Sequence, residues 1–484
     1  MIRVAAFVGS SILRVLGIAI LFSGFIGMYY KENIIGINLV ALSLAYLIIG
    51  FFGNKYLRPK RQLTITQGFA AVGLSWITLT LAGVFPYLLS LPNMSFVDAL
   101  FETASGFSTT GASIISDPSE LPKAIQFWRS ITQWVGGMGI IILTISVMPL
   151  LGSGGLNLAK AESPGPNPDR LTPRFKDTAQ ILWGVYLVFT IAQTVLLTFS
   201  GIDFFSSLNH SFTTLSTGGF STFENSVSEF SNISKLIICL FMFIGGTSFT
   251  LHYKSRKNFK EYLYSSEFKY FTFIVIFASL ILFIYLYTSD NGLTKSIVES
   301  VFTSLTMITG TGYSSTNFEV WPGGLKILLL GLMFVGGMSG STGGGIKVVR
   351  VVALLKTVRN ELKKLIYPKA VFKVRMSKSA MTEQSLESVQ TFFILYITVF
   401  GIGSVLLGLT SYFGEIQLSI ETILSSVASA LNNIGPALDQ AGPFDTYVLF
   451  DNYSKVLLAF IMLVGRLEMF PIVILLNKKT WKNT

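Results

Sequence analysis

Apolar positions along this chain come in long blocks rather than in alternation. Runs of about 20 mostly apolar residues recur from end to end, each long enough to cross a hydrocarbon core. They predict spanning helices over 8–29, 35–54, 66–90, 125–151, 178–200, 234–252, 268–288, 325–349, 389–413 and 454–477. Four further segments are half apolar at helical spacing and too short to cross. They read FVDALFETASGFSTTGAS (96–113), FFSSLNHSFTTLSTGGFS (204–221), SIVESVFTSLTMITGTGYSS (296–315) and SIETILSSVASALNNIGPAL (419–438). The pattern predicts an all-α polytopic membrane protein with ten transmembrane helices and four re-entrant helices.

The four short segments align on Gly111, Gly218, Gly312 and Gly435, which lie 107, 94 and 123 residues apart. Self-similarity at this scale means four copies of one unit: span, short helix, glycine loop, span. The expected organisation is a two-helix segment at 1–62, then units at 63–176, 177–264, 265–382 and 383–484. Non-helical backbone at membrane depth cannot face lipid, because its N–H and C=O groups would go unpaired; it must line a cavity or pack in protein. Four glycine loops around one axis could offer rings of carbonyls that replace the water shell of a monovalent cation. Four short helices ending there would add the partial negative charge of their C-termini.

Composition agrees: the chain of 484 residues is 51% hydrophobic and 13% charged. The formal net charge of +11 is concentrated in alternate loops. One set holds KYLRPKRQ (55–62), Lys160 with Arg170, Arg174 and Lys176, KSRKNFK (254–260), Lys356 with Arg359, Lys363 and Lys364, and the C-terminal NKKTWKN. The other set has isolated lysines among acids such as Asp117 and Glu120. The positive-inside rule puts the first set, and both termini, in the cytoplasm. Topology thus explains the charge, and no nucleic-acid partner is expected. The single cysteine, Cys239, sits inside an apolar run and has no second thiol for a disulfide or metal.

The loops T-T-G-A, S-T-G-G, T-G-T-G-Y and N-N-I-G-P resemble the filters of the Trk/Ktr/HKT superfamily of potassium transporters, and TGTGYSS (309–315) looks like a degraded potassium-channel filter. The length and the two leading spans are similar to the TrkH branch. The resemblance implies potassium uptake across a bacterial inner membrane, with K+ as the transported ion and no covalently bound cofactor. It also implies a homodimer in membrane lipid, and a cytosolic, nucleotide-binding regulatory subunit of the TrkA type. Carried over, the filter is Thr109-Thr110-Gly111, Ser216-Thr217-Gly218, Gly310-Thr311-Gly312 and Asn433-Ile434-Gly435. One alignable glycine per copy predicts a short filter with modest discrimination between potassium and sodium.

The span after each filter carries a second marker: WVGGMG (134–139), FIGGTS (243–248), FVGGMS (334–339) and LVGRLE (463–468). Small residues there let helices approach closely. In the fourth copy the second glycine is replaced by Arg466, an expensive residue at mid-span that points to a cavity, an acid or a hub for loop carbonyls. Only the third copy continues into MSGSTGGG (338–345). Glycine costs about 1 kcal/mol against Ala inside a helix, so this stretch holds a helix poorly. In the family this place is an intramembrane gate; here it would comprise Gly340, Ser341, Thr342, Gly343, Gly344, Gly345 and the facing Arg466. The basic stretch 346–372 that follows is an expected handle for the regulatory subunit.

Three other readings compete. Gly337-Met338-Ser339-Gly340 matches the G-x-S-G of intramembrane serine proteases, which need a base in reach, and the chain has only His210 and His252. STGGGIK lacks the spacing of a phosphate-binding loop. A symporter coupled to protons or sodium would use intramembrane acids, of which Glu102, Glu299, Glu421 and Glu468 are the candidates.

Overall fold

The computed structural model describes residues 2–59, 65–139, 175–289, 292–376, 379–412, 414 and 417–476. The end of the predicted span 125–151, the basic cluster around 160–174 and the C-terminal NKKTWKN lie outside them.

Two leading helices, Ile2–Tyr29 and Asn33–Tyr56, form a tight hairpin. Glycines line the contact: a Cβ on Gly24 would lie 3.1 Å from Gly36 O, and Ser43 Oγ donates to Gly17 O over 2.7 Å. Small residues with a hydroxyl bridge are how two helices associate where water offers no drive.

A four-part pattern then repeats. An outer helix (Ile65–Gly83 continuing as Phe85–Ser90; Phe175–Phe199; Ser266–Thr288; Glu383–Tyr412) precedes a short helix (Phe96–Ser108; Phe204–Leu215; Leu293–Thr309; Ile420–Asn432). A loop follows, then an inner helix (Lys123–Gly137; Asn232–Gly246; Gly323–Val335; Asn452–Arg466). Three short helices start on side-chain caps: Ser95, Asp203 and Ser419 accept from Asp98, Ser206 and Thr422 N–H.

Among the described residues, six helices are long and apolar enough to cross a membrane: Arg3–Tyr29, Asn33–Tyr56, Gln67–Ser90, Thr178–Phe199, Ser266–Thr288 and Ser385–Tyr412. Three of the remaining predicted spans differ from the expectation of continuous helices. The span 234–252 bends by 99° between Asn232–Gly246 and Phe249–Ser255, and 454–477 bends by 115° between Asn452–Arg466 and Phe470–Leu476. The span 325–349 stops at Val335 and resumes only at Val348, as the helix Val348–Ile366. Every break falls at the marker. Gly336 takes φ +76°, and Glu468 and Met469 take φ +51° and +68°, so the helical path cannot continue there.

Candidate functional site

Each short helix ends in the same left-handed cap. Thr109, Thr217, Gly310 and Asn433 have φ of +56°, +54°, +73° and +55°. The next residue's N–H reaches back five positions: Thr110 to Ser105 O, Gly218 to Thr213 O, Thr311 to Thr306 O and Ile434 to Ser429 O, at 2.8–3.0 Å. This is the Schellman closure, which satisfies carbonyls a helix end otherwise leaves open. The residue after it is a glycine of positive φ: Gly111, Gly219, Gly312 and Gly435.

These glycines close a ring. A Cβ on Gly111 would strike Gly218 O, one on Gly219 would strike Thr311 O, and one on Gly312 would strike Ile434 O. A Cβ on Gly435 would lie 2.7 Å from Thr110 O, which brings the circuit back to the first loop. Backbone thus packs on backbone around all four loops, and the C-termini of four helices converge on it. The geometry moves the second copy by one residue from the sequence alignment. Its counterpart of Thr109-Thr110-Gly111 is Thr217-Gly218-Gly219, not Ser216-Thr217-Gly218, because the five-back hydrogen bond starts at Gly218 N–H. In the other three copies Thr109-Thr110-Gly111, Gly310-Thr311-Gly312 and Asn433-Ile434-Gly435 occupy matching places.

Side chains lock the loops from behind. Tyr313 OH lies 2.5 Å from Thr213 Oγ1 and Tyr447 OH donates to Gly435 O over 3.0 Å. Asn433 Nδ2 donates to Thr110 Oγ1 over 3.0 Å. Buried Arg129 pairs with Glu102 at 2.8 Å and donates to Ser221 O at 3.2 Å, tying the first copy to the second. At the far end of the short helices, pairs join neighbouring copies: Lys235–Glu299 at 2.8 Å, Lys326–Glu421 at 3.2 Å and Lys455–Asp98 at 2.7 Å. Burial works against the charged form of Asp98, but hydrogen bonds from Lys455 and Ser95 outweigh it and hold the carboxyl below its ordinary range.

Directly against the helix ends lies the stretch after Val335. Met338 N–H and Thr342 N–H donate to Gly246 O (2.8 Å) and Gly245 O (3.2 Å), and Phe249 N–H donates to Gly340 O (3.0 Å). Thr342 Oγ1 donates to Leu215 O over 2.8 Å. A Cβ on Gly343 would lie 2.5 Å from Thr309 O, and one on Gly344 would strike Asn432 O. The stretch therefore touches the C-terminal carbonyls of three short helices, and its glycines are what let it come so close. Ser339 N–H donates to Glu267 Oε1 at 2.6 Å.

Cations gather around it. Arg466 Nη1 donates to Thr342 O (2.7 Å) and Nη2 to Gly136 O (2.9 Å), so it serves as a hub for carbonyls. Glu468 pairs instead with Arg350 at 2.5 Å, and Arg350 lies 4.0 Å over the Phe392 ring. Buried Lys347, at φ +79°, turns its Nζ onto Gly343 O. Sequence reasoning placed Lys347 only in the basic handle; a lysine four residues after a glycine carries no signal of that contact. A cavity remains between Trp76, Gly344, Lys347, Gly465, Arg466 and Glu468. The two histidines are committed elsewhere: His210 to Ser206 O (2.8 Å) and Ser221 Oγ (3.2 Å), His252 to Tyr262 OH (2.7 Å) and Ile244 O (2.9 Å). Neither of these sets a base beside Ser339.

The profile of the TrkH family, described as "Cation transport protein", matches residues 39–483. The chain belongs to the TrkH family. It is 37% identical to the Trk system potassium uptake protein TrkH of Vibrio parahaemolyticus serotype O3:K6, covering 98% of this chain and 99% of that one. It is 36% identical to the TrkH of Escherichia coli K12 over 88% of each chain. The crystal structure of the potassium transporter TrkH from Vibrio parahaemolyticus superposes with a TM-score of 0.87 at 33% identity, over 99% of this chain and 100% of that one. TrkH proteins are multi-pass membrane transporters and not enzymes, which removes the protease reading of Ser339.

Proposed function

We propose that this TrkH-family chain takes up potassium across a bacterial inner membrane through one central pore, with four units at 63–176, 177–264, 265–382 and 383–484. The observation that carries it is the closed ring of Thr110, Gly218, Thr311 and Ile434 carbonyls with Gly111, Gly219, Gly312 and Gly435 beside them. Carbonyls held in such a ring substitute for the hydration shell of a cation. The relatives' names, which specify potassium uptake, support the choice of ion. The stretch 338–345 acts as the gate, held shut by Arg466 and by Lys347.

Passive conduction is favoured over symport. Each candidate relay acid is already ion-paired: Glu102 with Arg129, Glu299 with Lys235, Glu421 with Lys326 and Glu468 with Arg350. Proteoliposome reversal potentials should follow the potassium gradient, with sodium contributing as a weaker permeant ion and the proton gradient without effect. A shift set by stoichiometric coupling to a proton or sodium gradient would turn the reading to a symporter.

The filter reading makes a local prediction. Gly312→Ala needs a Cβ where Ile434 O stands, at φ +78°, so the ring must deform. Potassium uptake should fall by about tenfold or more, each 1.4 kcal/mol of distortion counting for a factor of ten. Gly331→Ala, with open space around it, should transport as the parent does. Equal uptake by both variants at equal expression would refute the filter.

Both termini face the cytoplasm in this reading, and the chain works as a homodimer with a cytosolic nucleotide-binding subunit of the TrkA type. The helix Val348–Ile366 supports a partner there. It exposes Leu355, Val358, Leu362 and Leu365 beside Lys356, Arg359, Lys363 and Lys364.

A further inference from the structure

The fourfold pattern is broken at one place in two residues at once. Three residues before the first glycine of each marker, the inner helix carries Met242, Met333 and Met462 in the last three copies, but Gln133 in the first. All four side chains are buried. One copy onward, the middle residue of the loop shows the converse change. Thr311, Ile434 and Thr110 bear side chains, whereas the loop that follows Gln133 has Gly218.

The two departures are one feature. The Gln133 amide stands in the space a Cβ on Gly218 would take. Its Nε2 donates to Gly218 O over 2.7 Å, and its Oε1 accepts from Phe220 N–H over 3.1 Å. One partner can only accept and the other only donate, so the amide has one orientation. Arg129, one turn earlier on the same helix, holds the same loop through Ser221 O at 3.2 Å and lies 4.2 Å over the Phe220 ring. At the other three seams the side chain is a methionine, which has no N–H to donate.

We propose that Gln133 is a specificity-determining positioning residue, which fixes the Gly218 carbonyl in the ring and stiffens the second loop. The inference rests on the ring being the ion filter. A donor on one lone pair leaves Gly218 O a weaker ligand than its three counterparts, but one held at a set distance. A ring that cannot contract coordinates sodium poorly, whereas a ring with one slack member can close around the smaller ion. Gln133 therefore sets how well potassium is told from sodium, without touching the ion itself.

The test is a double-variant cycle on the full chain in proteoliposomes, read as the potassium-to-sodium permeability ratio from reversal potentials. Gln133→Met should lower the ratio by about threefold or more, and Gly218→Thr, whose side chain collides with Gln133, should lower it as well. The double variant recreates the methionine–threonine pairing of two of the other seams and should recover most of the parent ratio, the non-additivity expected of residues in contact. A lower yield or flux with an unchanged ratio would assign Gln133 a structural role only and overturn the proposal. So would a double variant no better than the worse single one. Gly312→Ala separates the two levels. If it moves the ratio and Gln133→Met does not, only this inference falls; if neither moves it, the filter reading falls too.

Discussion

A chain lacking Ser341–Gly344 should pass potassium at least about tenfold faster than the parent in proteoliposomes. The deletion removes the residues that press against the short-helix ends, where a Cβ on Gly343 would come within 2.5 Å of Thr309 O and one on Gly344 would strike Asn432 O. It also removes Thr342, whose N–H, hydroxyl and carbonyl engage Gly245, Leu215 and Arg466. At about 0.5–1.5 kcal/mol net for each bond, the closed arrangement loses a few kcal/mol, enough to shift a closed population toward open. The flanking anchors, Met338 N–H on Gly246 O and Val348 N–H on Gly337 O, are retained, so the chain should still assemble. Normal expression and dimensions on gel filtration with unchanged flux would refute the plug.

Arg466→Ala should have the second largest effect, a rise in flux of several-fold. Two terms act in the same direction. A fixed positive charge beside a cation path opposes passage, with about 4 kcal/mol between unit charges 4 Å apart at an effective dielectric of 20. The guanidinium also ties the plug to the first copy by joining Thr342 O to Gly136 O. Arg466→Lys separates these terms, because it keeps the charge but lacks the fork that spans two carbonyls. Flux that stays low in Arg466→Lys points to charge; flux that rises as in Arg466→Ala points to the tether. Unchanged flux in both, with normal insertion, would remove Arg466 from the gate.

The helical elements were legible because their signal is local. Long apolar blocks and half-apolar short segments each act within a few residues of themselves. The four copies were legible because the same local demand, a left-handed turn followed by glycine, recurs in each. Even so, the doublet Gly218-Gly219 left two registers open. Either glycine can take positive φ, and only the bond from Gly218 N–H to Thr213 O and the contact of Gly219 with Thr311 O choose between them. The bends between Gly246 and Phe249 and between Arg466 and Phe470 were hidden for a related reason. Neither FIGGTS nor LVGRLE carries a proline, and the backbone turns there to meet groups far away in sequence.

The sequence by itself determined a TrkH-type membrane protein of four repeated units, a ring of glycine loops and a third unit with an extra polar stretch. Only the tertiary structure decided the partners of the charged groups. Arg466 takes the carbonyls of Thr342 and Gly136, Glu468 takes Arg350, and Lys347 turns back onto Gly343. A charge in a low-dielectric interior must find a partner, but its sequence neighbours on a helix point elsewhere, so the choice falls to whichever element the fold brings alongside. The match of Gln133 to Gly218, 85 residues apart, is the same lesson in packing: a missing side chain in one unit is filled by an amide from another.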